Sequence, residues 1–522
     1  MAFANYFDRS ATAASQVLAN FRLDDFKHKL SEHAVALSFD DAAVGSSEGR
    51  ATLDLAIRLL ARLYPVLSIH SVGPAAQEHR VQLRRLALSI NDQLELRDGL
   101  ADIVVAVGDS KVPSGHDAIY IGSEGWRALL SQDGPVGSGP TSNPFGAGAA
   151  ACFGAANVFR KIFADQLSRG DLDDQIDLSL LTYLQGAAGE PMLPESIDLG
   201  DAYLVGLGAI GNGALWALPR ISGLGGTLHV VDHERADLSN LQRYVMTTQD
   251  DVGRRKTSLA RACFEQSRLK IKHHPQRWAD YVDACRRRSF ERVAVALDTA
   301  EDRIALQASL PKWIVNAWTQ DVDLGVSRHG FGDDEACLAC LYMPTGLVKN
   351  EHERVAEELR IPDAHMDIRT LLQTRQPVSE SFVQRVATAF GVPFDALQAF
   401  VGQPIQNFYR TAVCGGLMVG LTGGAHVGTA VVPMAFQSAL AGIMLAADLV
   451  KHAARMPVSS ATTTRINLLR PLAPFLSDPR AKDSSGRCIC CDRDFLEAYR
   501  LRYRLDRQRP AQVSADTSFV SE

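Results

Sequence analysis

The stretch DAYLVGLGAIGNG, residues 201–213, decides the fold of the larger part of this chain. An apolar run that ends in glycines and leads into a small-residue helix predicts a buried strand, a tight turn and a helix. Gly206, Gly208 and Gly211 form a Gly-x-Gly-x-x-Gly pattern, which lets the backbone approach a phosphate at the N-terminus of that helix. The pattern is weak by itself, but Asp232 follows Gly211 by 21 residues, where a carboxylate can accept hydrogen bonds from ribose hydroxyls. Together these features predict a bound adenine nucleotide.

Apolar runs continue to alternate with helical patterns beyond this turn. Strand-like runs occur as LHVVDHE at 228–234, VAVALDTA at 293–300 and KWIVNAWT at 312–319. Such alternation is typical of an α/β fold with a mostly parallel sheet. We therefore predict a Rossmann-like fold, in which ligands bind at the carboxyl ends of the strands.

The polar residues that follow Asp232 fit a nucleoside triphosphate better than a nicotinamide cofactor. Asn240 and Arg243 are three residues apart, so one helical turn places both on the face toward the glycine turn, where the Arg can bind phosphate. Lys256 begins a helical pattern and can reach a triphosphate. Asp298 follows an apolar strand, so its carboxylate is expected at the ligand-binding edge of the sheet, where it can hold Mg²⁺. An NAD-dependent oxidoreductase would leave these cations without a role, so the sequence favours ATP with Mg²⁺.

Two groups of cysteines predict a metal site. Cys337 and Cys340 form one C-x-x-C pair. Cys488 and Cys491 form a second, when the outer two of Cys488-Ile-Cys490-Cys491 are read together. Two thiolates from each of two turns complete a tetrahedral site that favours Zn²⁺, and such an ion contributes on the order of 10 kcal/mol to folding. Cys490 can replace one of its neighbours as a ligand, and chance clustering or a redox pair are the alternatives.

The composition excludes several classes of protein. At 522 residues and 46% hydrophobic content, the chain can bury a large core divided among two or three domains. Its net charge of −6 gives no reason to expect nucleic acid as a partner. The N-terminus lacks the pattern of a signal peptide, and no stretch reaches the roughly 18 uninterrupted apolar residues of a spanning helix. We therefore expect a cytoplasmic protein that contacts neither nucleic acid nor membrane.

Taken together, these motifs resemble the E1-like adenylating enzymes, which include the ThiF and MoeB proteins and the eukaryotic ubiquitin-activating enzymes. The resemblance rests on the glycine turn, on DHERADLSNLQR at 232–243, on Lys256, on DTAEDR at 298–303 and on the two cysteine pairs. It covers about residues 200–345 and 410–495.

The resemblance implies that the protein uses Mg-ATP to adenylate the C-terminal glycine of a ubiquitin-like protein. It assigns the ribose to Asp232, the magnesium to Asp298 and the phosphates to Asn240, Arg243 and Lys256. During the reaction, Arg243, Lys256 and the ion at Asp298 would stabilise the charge that develops on the phosphates.

The chain departs from the family pattern in two places. Thr299 stands where the family usually has Asn after the aspartate. The approach to the first strand, EPMLPESIDLGDAYLVG at 190–206, contains no arginine that could act in trans as a finger on the γ-phosphate. An arginine near the N-terminus, such as Arg9 or Arg22, is the candidate to replace it.

The sequence before the glycine turn predicts a second α/β unit that lacks nucleotide-binding motifs. PVLSIHSVG at 65–73 and ADIVVAVGDS at 101–110 predict strands, and AQEHRVQLRRLALSIND at 76–92 predicts the helix between them. AANVFRK at 155–161 echoes AADLVKH at 446–452, which is a faint repeat. We therefore predict a degenerate, inactive adenylation-like half packed on the active one, as in the pseudo-dimeric eukaryotic E1 enzymes. An unrelated α/β scaffold is the alternative.

Short amphipathic patterns between the first cysteine pair and the apolar C-terminal region predict a helical insertion. Its place resembles that of the extra structure that conjugating E1 enzymes carry near their thioester cysteine. Cys414 follows directly, with two flexible glycines after it and Arg410 close enough to favour its thiolate. We predict that Cys414 accepts the acyl group and passes it to a cysteine of an E2-like carrier. Non-conjugating relatives hold a cysteine here without an essential thioester role, and that alternative stays open.

The layout as a whole resembles the activating enzyme of bacterial ubiquitin-like conjugation operons implicated in antiphage defence, the BilD type, as a pseudo-dimeric monomer or a homodimer. Two other readings remain, namely a ThiF/MoeB-like activator of a sulfur-carrier protein and a ThiF-like enzyme that modifies a peptide. The predicted domains are a degenerate adenylation-like half at 1–190, the first part of the ATP-binding domain at 195–345, the helical insertion at 346–408, the rest of the adenylation domain with the second zinc pair at 409–500, and a disordered tail at 505–522.

Overall fold

The computed structural model describes residues 3–186, 189–285, 289–344, 350–414, 417–424 and 431–505. The predicted disordered tail, apart from its first residue, lies outside this part of the chain. Two mixed sheets with helices packed against them form the body of the molecule, and a small helical unit is inserted between two strands of the second sheet. No helix in the described ranges is long and apolar enough to cross a membrane.

The first half of the chain forms a seven-stranded sheet. In chain order its strands are β1 (Val35–Asp40), β2 (Val66–Val72), β3 (Glu95–Arg97), β4 (Ile103–Val107), β5 (Asp117–Glu124), β6 (Arg127–Ser131) and β7 (Gln175–Ser179). They pair in the order β3-β2-β1-β4-β5-β6-β7, and β6 alone runs antiparallel to its neighbours. The helices of this half are α1 (Phe7–Ser15), α2 (Leu23–Glu32), α3 (Asp41–Gly45), α4 (Ser47–Leu60), α5 (Pro74–Ile90) and α6 (Pro144–Ile162).

The second half forms an eight-stranded sheet. Its strands are β8 (Ile197–Val205), β9 (Leu224–Val231), β10 (Lys270–His274), β11 (Arg292–Val295), β12 (Ile314–Thr319), β13 (Asp323–His329), β14 (Thr463–Asn467) and β15 (Leu476–Asp478). They pair in the order β10-β9-β8-β11-β12-β13-β14-β15, parallel up to β12 and antiparallel beyond it. The helices that pack with this sheet are α7 (Ala209–Ala217), α8 (Lys256–Ala262), α9 (Trp278–Ala284), α10 (Ala300–Ala308), and two from the end of the chain, Ala435–Ala453 and Arg493–Tyr503.

The two sheets share one strand order. In both, the first strand of the half lies third from the edge, and the direction changes from parallel to antiparallel between the fifth and sixth strands. This arrangement confirms the predicted fold class, an α/β adenylation-like fold with a second half of the same type that lacks the glycine motif. The boundaries of the predicted domains stay predictions.

The helical insertion has an apolar core of its own. It contains the helices α11 (Glu351–Glu358), α12 (His365–Thr374), α13 (Glu380–Phe390), α14 (Ile405–Tyr409) and α15 (Leu417–Thr422). The core runs from Val355 to Met418, so it includes residues beyond the boundary predicted at 408. The helix Ala435–Ala453 is therefore α16, and Arg493–Tyr503 is α17.

Two long apolar helices, α6 and α16, lie between the sheets and join the halves. Gly148 of α6 faces the Trp216 ring, and a Cβ atom there would lie 2.5 Å from it. Gly442 of α16 faces α7, and its Cβ would lie 2.0 Å from the carbonyl oxygen of Ile210. Close helix packing at these two points therefore requires glycine.

A buried network of charges crosses between the halves beside these helices. Asp448 of α16 is fully buried and lies 2.6 Å from both Lys451 Nζ and Arg328 Nη2. It also accepts a hydrogen bond of 2.9 Å from Tyr183 of the first half. Lys451 Nζ donates to the carbonyl oxygen of Leu180, again in the first half, at 3.0 Å. Burial opposes ionisation of Asp448, but the two cations outweigh it and hold the pKa of Asp448 below its usual range.

Asp448→Asn should lower the free energy of unfolding by about 3–5 kcal/mol, because it leaves Arg328 and Lys451 as buried cations without a counter-charge. Urea denaturation at neutral pH measures the loss. Asp363→Asn is the matched control, since it removes a carboxylate from an exposed ion pair with Arg385 that contributes about 1 kcal/mol or less. Equally small losses in the two variants would show that the buried network does not stabilise the fold.

Candidate functional site

A cavity of about 1980 Å³ lies at the carboxyl ends of β8, β9 and β11. Its walls come from the glycine turn, the segment after β9, the loop after β11, the N-terminal helix α1 and the helical insertion. Most of the residues predicted to hold the nucleotide line it: Gly206, Gly208, Asp232, Asn240, Arg243, Lys256 and Asp298. The structure thus brings together groups that are as many as 92 positions apart in the sequence.

The glycine turn is fixed by its own backbone and by one carboxylate. Gly206 has a φ of +91°, a conformation that favours glycine. Gly211 lies beneath the turn, where a Cβ atom would be 2.4 Å from the carbonyl oxygen of Gly206. Asp232 Oδ2 accepts a hydrogen bond of 2.8 Å from the backbone N–H of Leu207, and its Oδ1 accepts one of 2.8 Å from Glu234. Asp232 therefore positions the turn in addition to lining the cavity.

Asn212, which the sequence interpretation did not single out, ties this turn to the next segment. Its amide nitrogen donates to the carbonyl oxygens of Leu207 and Gly208 at 3.1 and 3.0 Å. Its Oδ1 accepts a hydrogen bond of 3.1 Å from Met246. An amide side chain inside a helix of small apolar residues was the sequence signal for this role.

Lys256 lies at the start of α8 with its side chain only 5% exposed. Its Nζ donates to Glu234 Oε2 at 2.5 Å and to the Tyr244 hydroxyl at 2.9 Å. Burial alone would lower the pKa of Lys256, but Tyr244, Asp232 and Glu234 outweigh it and raise that pKa above its usual range. The lysine is a permanent buried cation at the edge of the cavity.

Arg243 follows a short 3₁₀ turn, Leu238–Gln242, that contains Asn240. The side-chain oxygen of Asn240 accepts a hydrogen bond of 3.0 Å from the backbone N–H of Asp237, so part of this side chain serves to cap the turn. Arg243 Nη1 is buried and has no hydrogen-bond partner among the described residues. Arg243 is among the residues that line the cavity, and a guanidinium with an unpartnered N–H favours an anionic ligand nearby.

The loop after β11 presents Asp298 at the cavity surface, and no side-chain partner of Asp298 occurs in the described ranges. Thr299 accepts a hydrogen bond of 3.1 Å from the backbone N–H of Asp302, so this departure from the family pattern is the N-cap of α10. Arg303 stabilises the loop by donating hydrogen bonds to the carbonyl oxygens of Leu297 and Thr299. A free carboxylate on a fixed loop suits a hard cation such as Mg²⁺.

The two candidate finger arginines lie in different places. Arg9 of α1 is 7% exposed and lines the cavity with its neighbours Asn5, Tyr6 and Asp8. Arg22 is a surface residue, 75% exposed, that pairs with Asp25 at 3.8 Å and does not line the cavity. Of the two candidates, only Arg9 lines the cavity.

The segment that leads to Cys414 forms a π-helical turn, Arg410–Cys414, directly after α14. Arg410 and Thr411 line the cavity, so this turn begins at the candidate site. π turns occur often at functional sites. The side chain of Cys414 lies outside the described part of the structure, and its role stays a prediction.

Four sulfur atoms gather where the turn Leu338–Tyr342 lies close to the turn Ile489–Cys491. Cys337 Sγ is 3.5 Å from Cys488 Sγ, and Cys340 Sγ is 3.4 Å from both Cys488 Sγ and Cys490 Sγ. These separations approach the edge of about 3.8 Å that a tetrahedron with 2.3 Å zinc–sulfur bonds would have. The four thiols therefore fit a metal ion of the predicted kind.

The structure places Cys490, and not the predicted Cys491, with the other three sulfur atoms. Cys490 is 1% exposed and belongs to the group of four, whereas Cys491 is exposed to solvent. The reason is the short 3₁₀ turn Ile489–Cys491, which directs its middle residue toward the cluster and its last residue outward. The spacing of the second pair is thus Cys-x-Cys, the substitution that the sequence interpretation had left open.

The first strand of the first half ends in a carboxylate, whereas the first strand of the second half is followed by the glycine turn. Asp40 ends β1 and accepts hydrogen bonds from the backbone N–H groups of Ala43, Asp109 and Ser110 at 3.0, 2.8 and 2.6 Å. The Ser110 hydroxyl donates to it at 2.7 Å. Burial opposes ionisation, but these hydrogen bonds outweigh it and hold the pKa of Asp40 below its usual range. Asp40 therefore ties the start of α3 and the loop after β4 to the end of β1.

Asp40→Asn should lower the free energy of unfolding at pH 7 by about 1–3 kcal/mol, because the amide cannot accept all these hydrogen bonds. Since the pKa of Asp40 is lowered in the folded state, its charge stabilises the fold above the unfolded value of about 3.9. That contribution disappears as the pH falls through the folded pKa. The difference between variant and wild type, measured by denaturation, should be full at pH 7 and begin to shrink below about pH 4. A difference that does not depend on pH would contradict this role.

Comparison with known proteins gives two family matches and one close relative. The profile of the ThiF family matches residues 195–486, more than half of the chain. A profile described as Prokaryotic E2 family C matches residues 38–164. The uncharacterized protein y4jF of Sinorhizobium fredii (strain NBRC 101917 / NGR234) is 55% identical over 520 residues, which cover 99% of this chain and 100% of that protein.

Among solved structures, two of E. coli MccB are similar at low identity. The complex of MccB with MccA-N7isoASN aligns with a TM-score of 0.34 at 16% identity, covering 56% of this chain and 67% of that one. The complex with AMPCPP and SeMeT MccA aligns with a TM-score of 0.32 at 14% identity, covering 54% and 65%.

Proposed function

The chain belongs to the ThiF family, and we propose that it is an E1-like enzyme that adenylates the C-terminal glycine of a ubiquitin-like protein with ATP. Family membership supports adenylation in general. The ubiquitin-like substrate and the transfer to an E2-like carrier are the further steps of the proposal. The observation that carries it is the convergence of Arg243, Lys256, Asp232 and Asp298 on one cavity beside the glycine turn.

The cavity offers a contact for each part of Mg-ATP. Asp232 would accept hydrogen bonds from the ribose hydroxyls, and the N-terminus of α7 would face the phosphates. Arg243 and Lys256 would bind phosphate oxygens, with Lys256 exchanging its contact to Glu234 for the nucleotide. Arg9 from the first half is the candidate for the γ-phosphate. Asp298 would hold Mg²⁺, which when bound offsets phosphate charge.

The proposed reaction begins when the substrate carboxylate enters the same cavity. One carboxylate oxygen attacks the α-phosphorus of ATP and forms a carboxyl–phosphate anhydride bond. The bond between the α-phosphorus and the oxygen that bridges to the β-phosphate breaks, and pyrophosphate leaves with that electron pair. Arg243 and Lys256 stabilise the negative charge that accumulates on the departing group, because fixed cations in a partly buried site need little reorganisation.

The acyl group would next move to Cys414. Its thiolate attacks the acyl carbon, a thioester forms, and AMP leaves with the electrons of the anhydride bond. The place of Cys414 supports this step, because the turn that contains it begins with two residues of the cavity wall. A cysteine of an E2-like protein would then take the acyl group by thiol exchange. The layout of two halves and an insertion is the basis for placing the enzyme in a bacterial conjugation system of the antiphage type.

A sulfur-carrier activator is the second candidate. It would perform the same adenylation and hand the adenylate to a sulfur donor, without an essential thioester on Cys414. The family match supports both candidates equally, so the fate of Cys414 distinguishes them. A peptide-modifying enzyme of the family would use the cavity on a peptide without any ubiquitin-like partner.

Pyrophosphate exchange into ATP tests the adenylation step, with a ubiquitin-like protein that ends in glycine as the trial substrate. Lys256→Ala should reduce exchange on the order of 100-fold to 1000-fold, since it removes a fixed cation from the phosphate site. Lys272→Ala is the matched control, because Lys272 is exposed on β10 outside the cavity, and it should keep full activity. Equal activity of the two variants would overturn the proposed site.

A non-reducing gel of the same reactions with wild type and Cys414→Ala then tests the thioester. Exchange that survives in the variant while a thiol-labile adduct disappears supports the conjugating enzyme. Exchange without an adduct in the wild type supports the sulfur-carrier candidate. A wild-type protein that binds no ATP would contradict both.

We also propose that the four-sulfur cluster binds zinc and ties α17 to the second sheet. Cys490→Ala should lose the metal, measured as zinc per chain in the purified protein, and should melt at a markedly lower temperature. Cys491→Ala changes an adjacent, exposed thiol and should retain both the metal and the stability of the wild type. Loss of zinc from Cys491→Ala, with retention in Cys490→Ala, would mean that the ligand set is wrong.

A further inference from the structure

One helix of the first half contacts the second half through three charged side chains. Asp54, Arg58 and Arg62 are four residues apart, so they follow one another along one face of α4 and the turn at its end. We call these three residues the α4 stripe. They lie in the half that has no nucleotide motif, but all three contact the other half.

The two arginines of the stripe bind backbone carbonyl groups next to Arg243. Arg62 is 2% exposed, and its Nη2 donates to the carbonyl oxygens of Tyr244 and Thr247 at 2.6 and 2.7 Å. Arg58 Nη1 donates to the carbonyl oxygen of Val245 at 3.0 Å. Three backbone carbonyl groups in a short irregular segment, residues 243–247, thus accept hydrogen bonds from arginines of the first half.

Asp54 connects the same stripe to the helix that begins at the glycine turn. Its Oδ2 accepts hydrogen bonds from Arg58 Nε at 2.9 Å, from Trp216 Nε1 at 2.8 Å and from Arg220 Nη2 at 2.6 Å. Trp216 is near the end of α7, and Arg220 follows it by four residues. Burial opposes ionisation of Asp54, but Arg58 and Arg220 outweigh it and lower its pKa to about 2. The carboxylate is charged and neutralises part of the buried arginine charge.

The segment held by the stripe carries one cation of the phosphate site and contacts the other. Arg243 is its first residue, and the Tyr244 hydroxyl contacts Lys256 Nζ at 2.9 Å. The segment is neither helix nor strand; within it the Thr247 N–H donates to the Tyr244 carbonyl oxygen at 3.0 Å, and the Met246 N–H donates to Asn212 Oδ1 at 3.1 Å. The two arginines of the stripe add three hydrogen bonds from the first half to these. A guanidinium can hold two carbonyl oxygens at once in a fixed geometry, and this makes Arg62 a rigid clamp on the segment.

We propose that Arg58 and Arg62 are positioning residues for ATP, through which the first half holds residues 243–247 in the conformation that binds phosphate. The inference rests on the proposed function, because it takes Arg243 and Lys256 as phosphate ligands. It gives the nucleotide-free half a defined part in the reaction of the other half.

Calorimetric titration of the full chain with Mg-ATP tests the clamp. Arg62→Ala and Arg58→Ala should each weaken ATP binding about tenfold, as expected when the segment is correctly placed in about one molecule in ten. Arg50→Ala is the matched control, because Arg50 is on the same helix and donates its hydrogen bonds to Val44 and Ser47 of its own half. It should bind ATP as the wild type does. Arg62→Lys keeps the positive charge but lacks the planar guanidinium that binds two carbonyl oxygens, so its affinity for ATP should be intermediate.

A melting curve of each variant separates positioning from a merely structural role, which would lower the melting temperature and leave the affinity of the folded protein unchanged. If Arg62→Ala does not fold, Arg58→Ala and Arg62→Lys decide the question. Folded variants of Arg58 and Arg62 that bind ATP as tightly as Arg50→Ala would overturn the inference. A wild type that binds no ATP would overturn the proposed function and this inference with it.

Discussion

The arrangement of the two halves depends on the buried carboxylate of Asp448. A charge inside an apolar helix such as α16 is costly unless it is paired and hydrogen-bonded. Arg328 and Lys451 of the second half pair with Asp448, and the first half supplies the remaining partners. The Tyr183 hydroxyl donates a hydrogen bond to the carboxylate, and the carbonyl oxygens of Leu180 and Leu181 accept hydrogen bonds from Lys451 Nζ. Separation of the halves would therefore leave the ion pairs of Asp448 in place but remove these hydrogen bonds. The halves therefore act as one body.

The first half contains a similar buried polar cluster, which is built from different residues. In the helix echo AANVFRK and AADLVKH, Asn157 and Arg160 of α6 take the places of the acid and the lysine of α16. Both contact Asp173, which stands before β7, and Asp173 Oδ1 accepts a hydrogen bond of 2.6 Å from the backbone N–H of Leu472 in the second half. Each half thus supplies a hydrogen-bond partner to a buried polar group of the other half. This reciprocity is what an approximate two-fold relation between two related sheets produces.

Local spacing explains which parts of the site could be predicted from the sequence. The glycine turn and Asp232 are recognisable because a strand, a turn, a helix and a second strand follow one another within a short stretch of chain. The choice between Cys490 and Cys491 could not be predicted, since adjacent residues differ only in the direction that a single turn gives them. The role of Arg62 could not be predicted from the sequence for another reason. This arginine contacts carbonyl groups about 180 residues away, and a backbone acceptor carries no residue-type signal in the sequence.

The first half matches a profile of prokaryotic E2 proteins, which raises the question whether it carries the acyl group itself. Cys152 is the single cysteine between residues 38 and 164, and it is fully buried in the middle of α6. Burial raises the pKa of its thiol, whereas an acyl acceptor needs a reachable thiolate. Cys152 is therefore a residue of the apolar core and not an accessible acyl acceptor. What the structure does show from the first half is Arg9 at the cavity wall and the hydrogen bonds of Arg58 and Arg62 to backbone carbonyl groups of residues 244–247.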